Sequence, residues 1–413
     1  MHSTLSSVPA SPIDRPNPAG GGCVPMPIRP VQEFYLDALR MAGAQAVLVA
    51  HACDILRPAP VMMPLGGLGV VMFFFISGFL ICHTALRRRS NAYGFGDFIL
   101  DRSSRIFTAY WPALVAVALV DAALLATGAA SIQPYAASTG PLQMLGNALM
   151  LQDYPVFVVA GKLLNADPDW LVRPYGSAGP FWTVAIEFWI YIAFGILVFK
   201  VAAGRPFGGP VVALLALVAF GSATYNMVAG FGDCLTLLWL LGAAACIGGA
   251  QGTAVLARLA GPSPGPRLTL LAAAAVLTLG LLAIRVVSGH VDTVYDLQTA
   301  GGVGVLMFIG YLACGEADRL RPNRPPRGLA ARAVRFLAAY SYSLYLTHHT
   351  LLVALAGWGD PAFWSGWAGL LTAMLLAQPV AVVFWWLFER RYKAVAHWVR
   401  ALHRPRFQSA PSA

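Results

Sequence analysis

Long apolar runs alternate with short polar segments along nearly the whole chain. An α-helix of ~20 residues is ~30 Å long, which matches the hydrocarbon thickness of a bilayer. The pattern therefore predicts an all-α polytopic membrane protein with about ten transmembrane helices. The predicted spans are approximately 35–55, 66–86, 105–128, 180–199, 210–229, 234–251, 268–288, 298–315, 336–356 and 364–388.

Composition points to the same class of protein. The chain is 58% hydrophobic and 11% charged, whereas soluble domains carry about 25% charged residues. The six cysteines are dispersed and form no closely spaced pair. Neither a disulfide framework nor a metal-binding knuckle is therefore predicted.

The distribution of basic residues predicts the topology. If the N-terminus is cytoplasmic, the external segments hold Arg57, Lys162 and Arg173, and the spans hold Arg40 and Arg285. The rest of the 28 lysines and arginines then fall in cytoplasmic segments. The positive-inside rule thus places both termini in the cytoplasm. The net charge of +10 is explained by topology and anionic lipid. Nucleic acid is not an expected partner, because the basic residues are scattered over several loops.

The segments outside the spans differ in character. Residues 1–33 are rich in Pro, Ser and Gly and predict a disordered cytoplasmic tail. Residues 34–392 form the membrane domain, and residues 393–413 are expected to be a basic cytoplasmic tail. The external segment 129–179 contains a predicted short interfacial helix at 142–151. Its acidic and aromatic residues suggest that it holds a polar substrate, or that it is a lid without specificity.

Two polar residues share one face of the first predicted span. Arg40 and His51 are eleven residues apart, which corresponds to about three turns of helix and ~16 Å along its axis. Ionisable groups inside a bilayer are costly and suggest a functional site. The alternatives are an arginine that snorkels to the interface and a histidine that bonds to another helix.

A second basic pair begins the third span. Arg102 and Arg105 are one helical turn apart, and two guanidinium groups in this arrangement suit phosphate binding. The alternative is ordinary anchoring at the cytoplasmic interface. In the second span, the pair Ser77–Gly78 permits close helix packing or a kink.

The fourth span carries a carboxylate flanked by aromatic residues. Glu187 lies five residues after Trp182 and four before Tyr191. A carboxylate in a span needs a partner or a polar cavity. Glu187 is therefore expected to bind an acceptor or orient His51, or to make a structural hydrogen bond.

Polar residues also interrupt later spans. The sequence YSYSLYLTHH in the ninth span places Tyr345 and His348 one turn apart, next to His349. His348 is either a second catalytic group or a residue that lines a cavity. Arg285, in the seventh span, is expected to pair with Asp292 or Asp296 or to contact an anionic acceptor.

Six ordered segments together resemble the membrane-bound acyltransferase family 3, the bacterial O-acyltransferases of surface and secreted glycans. The chain resembles its stand-alone form, without an appended soluble domain. The P-loop, HExxH and GxSxG motifs are absent from the sequence. The matching segments are the arginine–histidine pattern at Arg40 and His51, SGFLI, RxxR at Arg102 and Arg105, W-x4-E-x3-Y at Trp182, Glu187 and Tyr191, YSYSLYLTHH with His348, and FERR.

The resemblance implies transfer of an acyl group from cytoplasmic acyl-CoA to a hydroxyl of an extracytoplasmic carbohydrate at the bacterial inner membrane. Acetyl is the default acyl group, and acyl-CoA is a co-substrate rather than a bound cofactor. No metal is required. His51 would be the general base or a transient acyl carrier, assisted by Arg40 and Glu187. The implied contacts are CoA on Arg102, Arg105 and Ser77, and substrate on Trp182, Tyr191, Tyr345 and His348.

Another class of function fits the same intramembrane charges. A secondary transporter or flippase for a lipid-linked or anionic solute would also need a polar interior. It would show gradient-coupled uptake and no dependence on CoA. The sequence does not identify the acyl group, the acceptor or the oligomeric state.

Overall fold

The computed structural model describes residues 25–56, 63–89, 93–152, 163, 172–206, 209–228, 234–289, 295–320, 322 and 326–403. These residues are almost entirely helical. The helices are α1 Pro30–Leu56, α2 Met63–Arg88, α3 Phe95–Ala126, α4 Pro141–Ala148, α5 Phe181–Ile196, α6 Pro210–Val228, α7 Leu235–Ala260, α8 Pro264–Val287, α9 Leu297–Leu320, α10 Leu329–Ala339, α11 Ser341–Trp358, α12 Pro361–Trp364, α13 Trp367–Leu387 and α14 Tyr392–His403.

The all-α polytopic membrane class is confirmed. Within the described residues, nine helices are long and apolar enough to cross a membrane. The predicted span at 336–356 is not among them, because Tyr340 divides it into α10 and α11 and because α11 is rich in polar residues. Helix α11 instead packs against α1, α3 and α13, with most of its polar side chains buried. Its 18 residues would still extend ~27 Å.

Both predicted tails have ordered parts. Helix α1 begins at Pro30, and the segment before it packs on the bundle: His83 Nε2 donates to the Met26 carbonyl at 3.1 Å, and Arg29 pairs with Asp318 at 3.8 Å. The tail boundary predicted at residue 33 is therefore too late. In the predicted C-terminal tail, residues 393–403 form most of α14, which packs on α3; that this segment is cytoplasmic stays a prediction. Residues 1–24 and 404–413 lie outside the described residues.

The predicted interfacial helix at 142–151 corresponds to α4, at Pro141–Ala148. A 3₁₀ helix at Ala130–Ser138 precedes it. Leu142 and Leu145 on α4 are exposed, as expected of a helix at an interface. The acidic and aromatic residues on which the substrate prediction for this segment rested lie mostly outside the described residues: Asp153, Tyr154, Asp167, Asp169 and Trp170.

The backbones of α2 and α7 approach each other so closely that two positions of the contact have no room for a side chain. A Cβ atom on Gly78 would lie 1.9 Å from the Trp239 carbonyl oxygen, and one on Gly242 would lie 2.1 Å from the Phe75 carbonyl oxygen. Small residues permit this kind of contact between membrane helices. The close approach at Gly78 agrees with the packing interpretation of Ser77–Gly78, and it places Ser77 beside the Trp239 indole.

Candidate active site

A cavity of about 440 Å³ lies between α1, α2, α3, α5 and α11, with Tyr392 of α14 at its edge. We call it the arginine cavity. Residues that the sequence pointed to on separate helices meet there. They are Arg40, Ser77, Arg102, Arg105, Glu187, Tyr191 and Tyr345.

The three arginines of this cavity differ in how their charge is balanced. Arg105 pairs with Glu389 at 2.8 Å and lies over the Tyr392 ring at 5.0 Å. Arg40 has a longer contact with Asp37, at 3.7 Å. Among the described residues, Arg102 forms no ion pair, and its Nε is buried without an acceptor. Arg102 therefore has the most available positive charge for an anionic ligand.

Glu389, the partner of Arg105, is also hydrogen-bonded to Ser343 on α11. Its carboxylate is completely buried and accepts hydrogen bonds from the Ser343 N–H at 3.1 Å and the Ser343 hydroxyl at 2.6 Å. A buried charge is tolerated when it is paired and hydrogen-bonded. Glu389 thus ties Arg105 on α3 to α11.

Glu187 ends a chain of hydrogen bonds that begins on α7. The Trp239 N–H donates to Ser77 Oγ at 3.1 Å, and Ser77 and Tyr191 are bonded at 2.8 Å. Tyr191 donates its only proton to Glu187 Oε1 at 2.5 Å. The Ser77 hydroxyl must therefore donate to Tyr191. All three donors point toward the Glu187 carboxylate.

His51 is bonded to the other predicted histidine. His51 Nδ1 and His348 Nε2 are 2.8 Å apart, and the rings lie within 8° of parallel. His348 Nδ1 is 2.9 Å from the Leu344 carbonyl oxygen, which can only accept. In a neutral imidazole only one nitrogen carries hydrogen. His348 Nε2 is then an acceptor, His51 Nδ1 is the donor, and His51 Nε2 keeps a free lone pair.

Tyr345 lies between the arginine cavity and the histidine pair. Its ring lines the cavity and is 5.9 Å from the His348 ring, centroid to centroid. Its hydroxyl donates to the Pro180 carbonyl at 3.0 Å and is 2.6 Å from Thr183 Oγ1. These bonds fix Tyr345 as a wall between the two parts of the site.

Several sequence interpretations change with this geometry. Arg40 and His51 share α1, but Arg40 lines the arginine cavity while His51 bonds to α11 beyond Tyr345. Among the described residues, His51 is hydrogen-bonded to His348, whereas Glu187 is bonded to Tyr191. Trp182 is not among the described residues that line the cavity, and its ring packs edge-on against Tyr295, with centroids 6.1 Å apart.

The external arginine of the seventh span is paired. Arg285 lies 3.0 Å from Asp296, one of the two partners predicted for it. Asp292 is outside the described residues. In the part of the chain that the structure describes, no group of three His, Cys, Asp or Glu side chains is placed to hold a metal ion. That no metal is needed stays a prediction.

The sequence interpretation missed a buried carboxylate that is linked through Ser177 to His349, whose ring contacts His51. Asp121 on α3 is buried and accepts hydrogen bonds from the Ser177 N–H at 2.8 Å and the Ser177 hydroxyl at 2.5 Å. The Ser177 carbonyl in turn accepts from His349 Nδ1 at 2.7 Å. A carboxylate inside an apolar span was the available signal, because such a residue needs a partner.

The fold and this site define a polytopic membrane protein with an arginine-lined cavity and a pair of hydrogen-bonded histidines, His51 and His348. A family model for the acyltransferase domain matches residues 33–386. The chain belongs to this family, the membrane-bound acyltransferase family 3.

Two similar curated proteins have names consistent with this family. An O-acetyl transferase of Shigella phage Sf6 is 28% identical over 194 residues, which cover 46% of this chain and 53% of that protein. Nodulation protein 10 of Rhizobium leguminosarum bv. viciae is 30% identical over 199 residues, covering 44% of this chain and 48% of that protein. The chain thus spans about half the length of the curated relatives it matches. No solved structure matches the chain.

Proposed function

We propose that this enzyme transfers an acyl group, by default acetyl, from cytoplasmic acyl-CoA to a carbohydrate hydroxyl on the outer side of the bacterial inner membrane. The observation that carries the proposal is the position of the arginine cavity. It holds cationic side chains for phosphate binding, and its Tyr345 wall adjoins an imidazole with a free lone pair. The name of the phage relative, O-acetyl transferase, supports acetyl as the group transferred.

The proposed donor site uses charge and shape. Guanidinium groups bind phosphate through paired hydrogen bonds. Arg102 makes the main phosphate contact, because Arg105 is already paired with Glu389. Arg40 adds positive charge from α1. The apolar side chains of α2 that line the cavity, such as Phe73 and Phe74, accommodate the acyl-pantetheine arm.

His51 is the proposed general base. Its Nε2 takes the proton of the acceptor hydroxyl while the oxygen attacks the thioester carbonyl carbon. The carbon–sulfur bond then breaks, and the CoA sulfur leaves with a proton returned by the imidazolium. The Nδ1–H bond to His348 strengthens when His51 becomes charged, because hydrogen bonds to charged groups are stronger. Formation of an acyl-imidazole at Nε2 is the alternative route.

Glu187 has a different proposed role from the one suggested by its sequence position. It lines the cavity with Arg102 and Arg105 and ends the hydrogen-bond chain through Tyr191. We assign it to holding the arginines and the polar wall in place around the donor. The Tyr345 wall and the burial of His348 restrict water around His51 and so limit thioester hydrolysis.

The test is the ester content of the surface glycans of the producing cell, measured by NMR. A deletion strain is complemented with wild type, His51→Ala or Arg102→Ala. Loss of ester on deletion, restored by wild type and by neither variant, is the expected result. Full restoration by His51→Ala would refute the assignment of the base. Glycan esters that do not change on deletion, with solute uptake that does, would favour the transporter.

A further inference from the structure

A second cavity, of about 240 Å³, lies beside the 3₁₀ helix at Ala130–Ser138. We call it the Tyr135 cavity. Tyr135, Ser138, Gln143, Arg173 and Gly179 are among the residues that line it. None of the described residues lining it also lines the arginine cavity.

The Tyr135 cavity approaches the histidine pair through residues that do not line the arginine cavity. The Tyr135 ring packs edge-on against His349, with centroids 5.8 Å apart, and His349 packs edge-on against His51 at 5.1 Å. Gly179 separates the cavity from His349: a Cβ atom there would lie 3.2 Å from His349 Nε2. A ligand in this cavity is therefore one side chain away from the proposed base.

Hydrogen bonds fix which nitrogen of His349 faces Gly179. His349 Nδ1 donates to the Ser177 carbonyl at 2.7 Å, so in the neutral ring Nε2 is a lone-pair acceptor. Asp121 holds Ser177 through two hydrogen bonds. Gly176 has φ +46°, and a Cβ atom there would lie 1.9 Å from Asp121 Oδ2, so this approach requires glycine.

The cavity lining combines an aromatic ring with polar donors. The Arg173 backbone is used structurally, because its N–H donates to Gln143 Oε1 and its carbonyl accepts from Asn147 Nδ2. The Arg173 side chain is exposed to solvent, so its guanidinium group can contact a ligand. An aromatic face, a guanidinium and hydroxyl groups suit a polyhydroxylated ring better than an apolar molecule.

We propose that the Tyr135 cavity binds one sugar residue of the acceptor, with its ring on Tyr135 and an oxygen on Arg173. A hydroxyl of this sugar donates to His349 Nε2, and the neighbouring hydroxyl is thereby presented to His51. The ligand class is a sugar with vicinal hydroxyls. This inference rests on the proposed function and adds the acceptor subsite to it.

The test separates acceptor binding from donor binding. The full-length enzyme in lipid nanodiscs is given acetyl-CoA and the producing cell's own polysaccharide, from which mild alkali has removed the esters. Gly179→Ala places a methyl group against His349 Nε2, and Arg173→Gln removes the guanidinium. Each is expected to raise the KM for polysaccharide about tenfold, as for loss of one hydrogen bond. The KM for acetyl-CoA should stay within about twofold of wild type.

Gly140→Ala is the matched control, because a Cβ atom at Gly140 meets no heavy atom within 4 Å. If both test variants behave like this control, the Tyr135 cavity is not the acceptor subsite. Equal increases in both KM values would show a general distortion and would also overturn the inference. If wild type forms no ester from acetyl-CoA, the proposed function itself fails.

Discussion

The bond between His51 and His348 leads to a prediction that separates orientation of the base from substrate binding. His348 is 1% exposed and supplies the acceptor for the His51 Nδ1–H at 2.8 Å. His348→Leu keeps an apolar side chain of similar size but removes this acceptor. His51 then loses the bond that keeps its lone pair on Nε2.

The expected loss can be estimated from the charge that forms on His51. A hydrogen bond to a charged group contributes about 1.5–3 kcal/mol, which corresponds to a fall in kcat of about 10- to 150-fold. The KM for acetyl-CoA should change little, because His348 does not line the arginine cavity. The measurement is initial-rate kinetics of CoA release in nanodiscs, with acceptor polysaccharide present.

His348→Gln is the matched control, because its amide oxygen can accept the same hydrogen bond. We expect it to retain more activity than His348→Leu. Size-exclusion profiles and thermal unfolding of both variants establish that each is folded. If His348→Leu has the kcat of wild type, His348 does not orient the base. Equal losses in the two variants would assign the effect to packing.

Three further predictions follow from particular contacts. Arg102→Ala should raise the KM for acetyl-CoA more than Arg105→Ala does, because Arg105 is already paired with a buried carboxylate; initial rates measure this. Gly78→Ala should lower the free energy of unfolding by about 1–3 kcal/mol, and with it the unfolding temperature, because its methyl group would overlap a backbone carbonyl of α7. Burial disfavours ionisation of Asp296, but hydrogen bonds from the first turn of α9 and the Arg285 guanidinium outweigh it and lower its pKa. Asp296→Asn should therefore destabilise the protein at neutral pH, and its difference from wild type should shrink as the pH falls below ~4.

Matched variants make these predictions specific. Arg258 is exposed near the end of α7, so Arg258→Ala tests for a general effect of lost charge. A Cβ atom at Gly96 meets no heavy atom within 4 Å, so Gly96→Ala tests for a general effect of adding a methyl group to a helix. A KM for acetyl-CoA that is higher in Arg105→Ala than in Arg102→Ala would contradict the role given to the Arg105–Glu389 pair. Unfolding of Gly78→Ala at the wild-type temperature would contradict the close packing of α2 on α7. An effect of Asp296→Asn that does not vary with pH would contradict the lowered pKa of Asp296.

Helical periodicity accounts for the part of the site that could be predicted from sequence. The spacing of Arg102 and Arg105 places both on one face of α3, and both line the arginine cavity. The apolar runs also predicted the membrane class, because the length and hydropathy of a membrane span depend only on the residues of that span. In contrast, the Arg105–Glu389 pair joins residues far apart in the sequence, and no local pattern specifies which helices meet.

The interpretation of the C-terminal segment from its charge left out the helix. Its lysine and arginines predicted a basic cytoplasmic tail, and Val395, Trp398, Val399 and Leu402 lie on one side of a helix at i, i+3, i+4 and i+7. Val395 and Val399 line a groove against α3, whereas Trp398 and Leu402 are exposed. Apolar periodicity between charged residues would have predicted an interfacial helix.

The two cavities give a physical reason for the position of the histidine pair. A thioester and a sugar must meet at one atom, but a single open channel would also admit water and allow the bilayer to leak. Here Tyr345 limits access from the arginine cavity, and Gly179 with Tyr135 limits it from the Tyr135 cavity. His51 lies between these two walls, with its Nδ1 bonded to His348. In the proposed reaction, the donor approaches from the arginine cavity and the acceptor from the Tyr135 cavity, and the two meet at His51 Nε2.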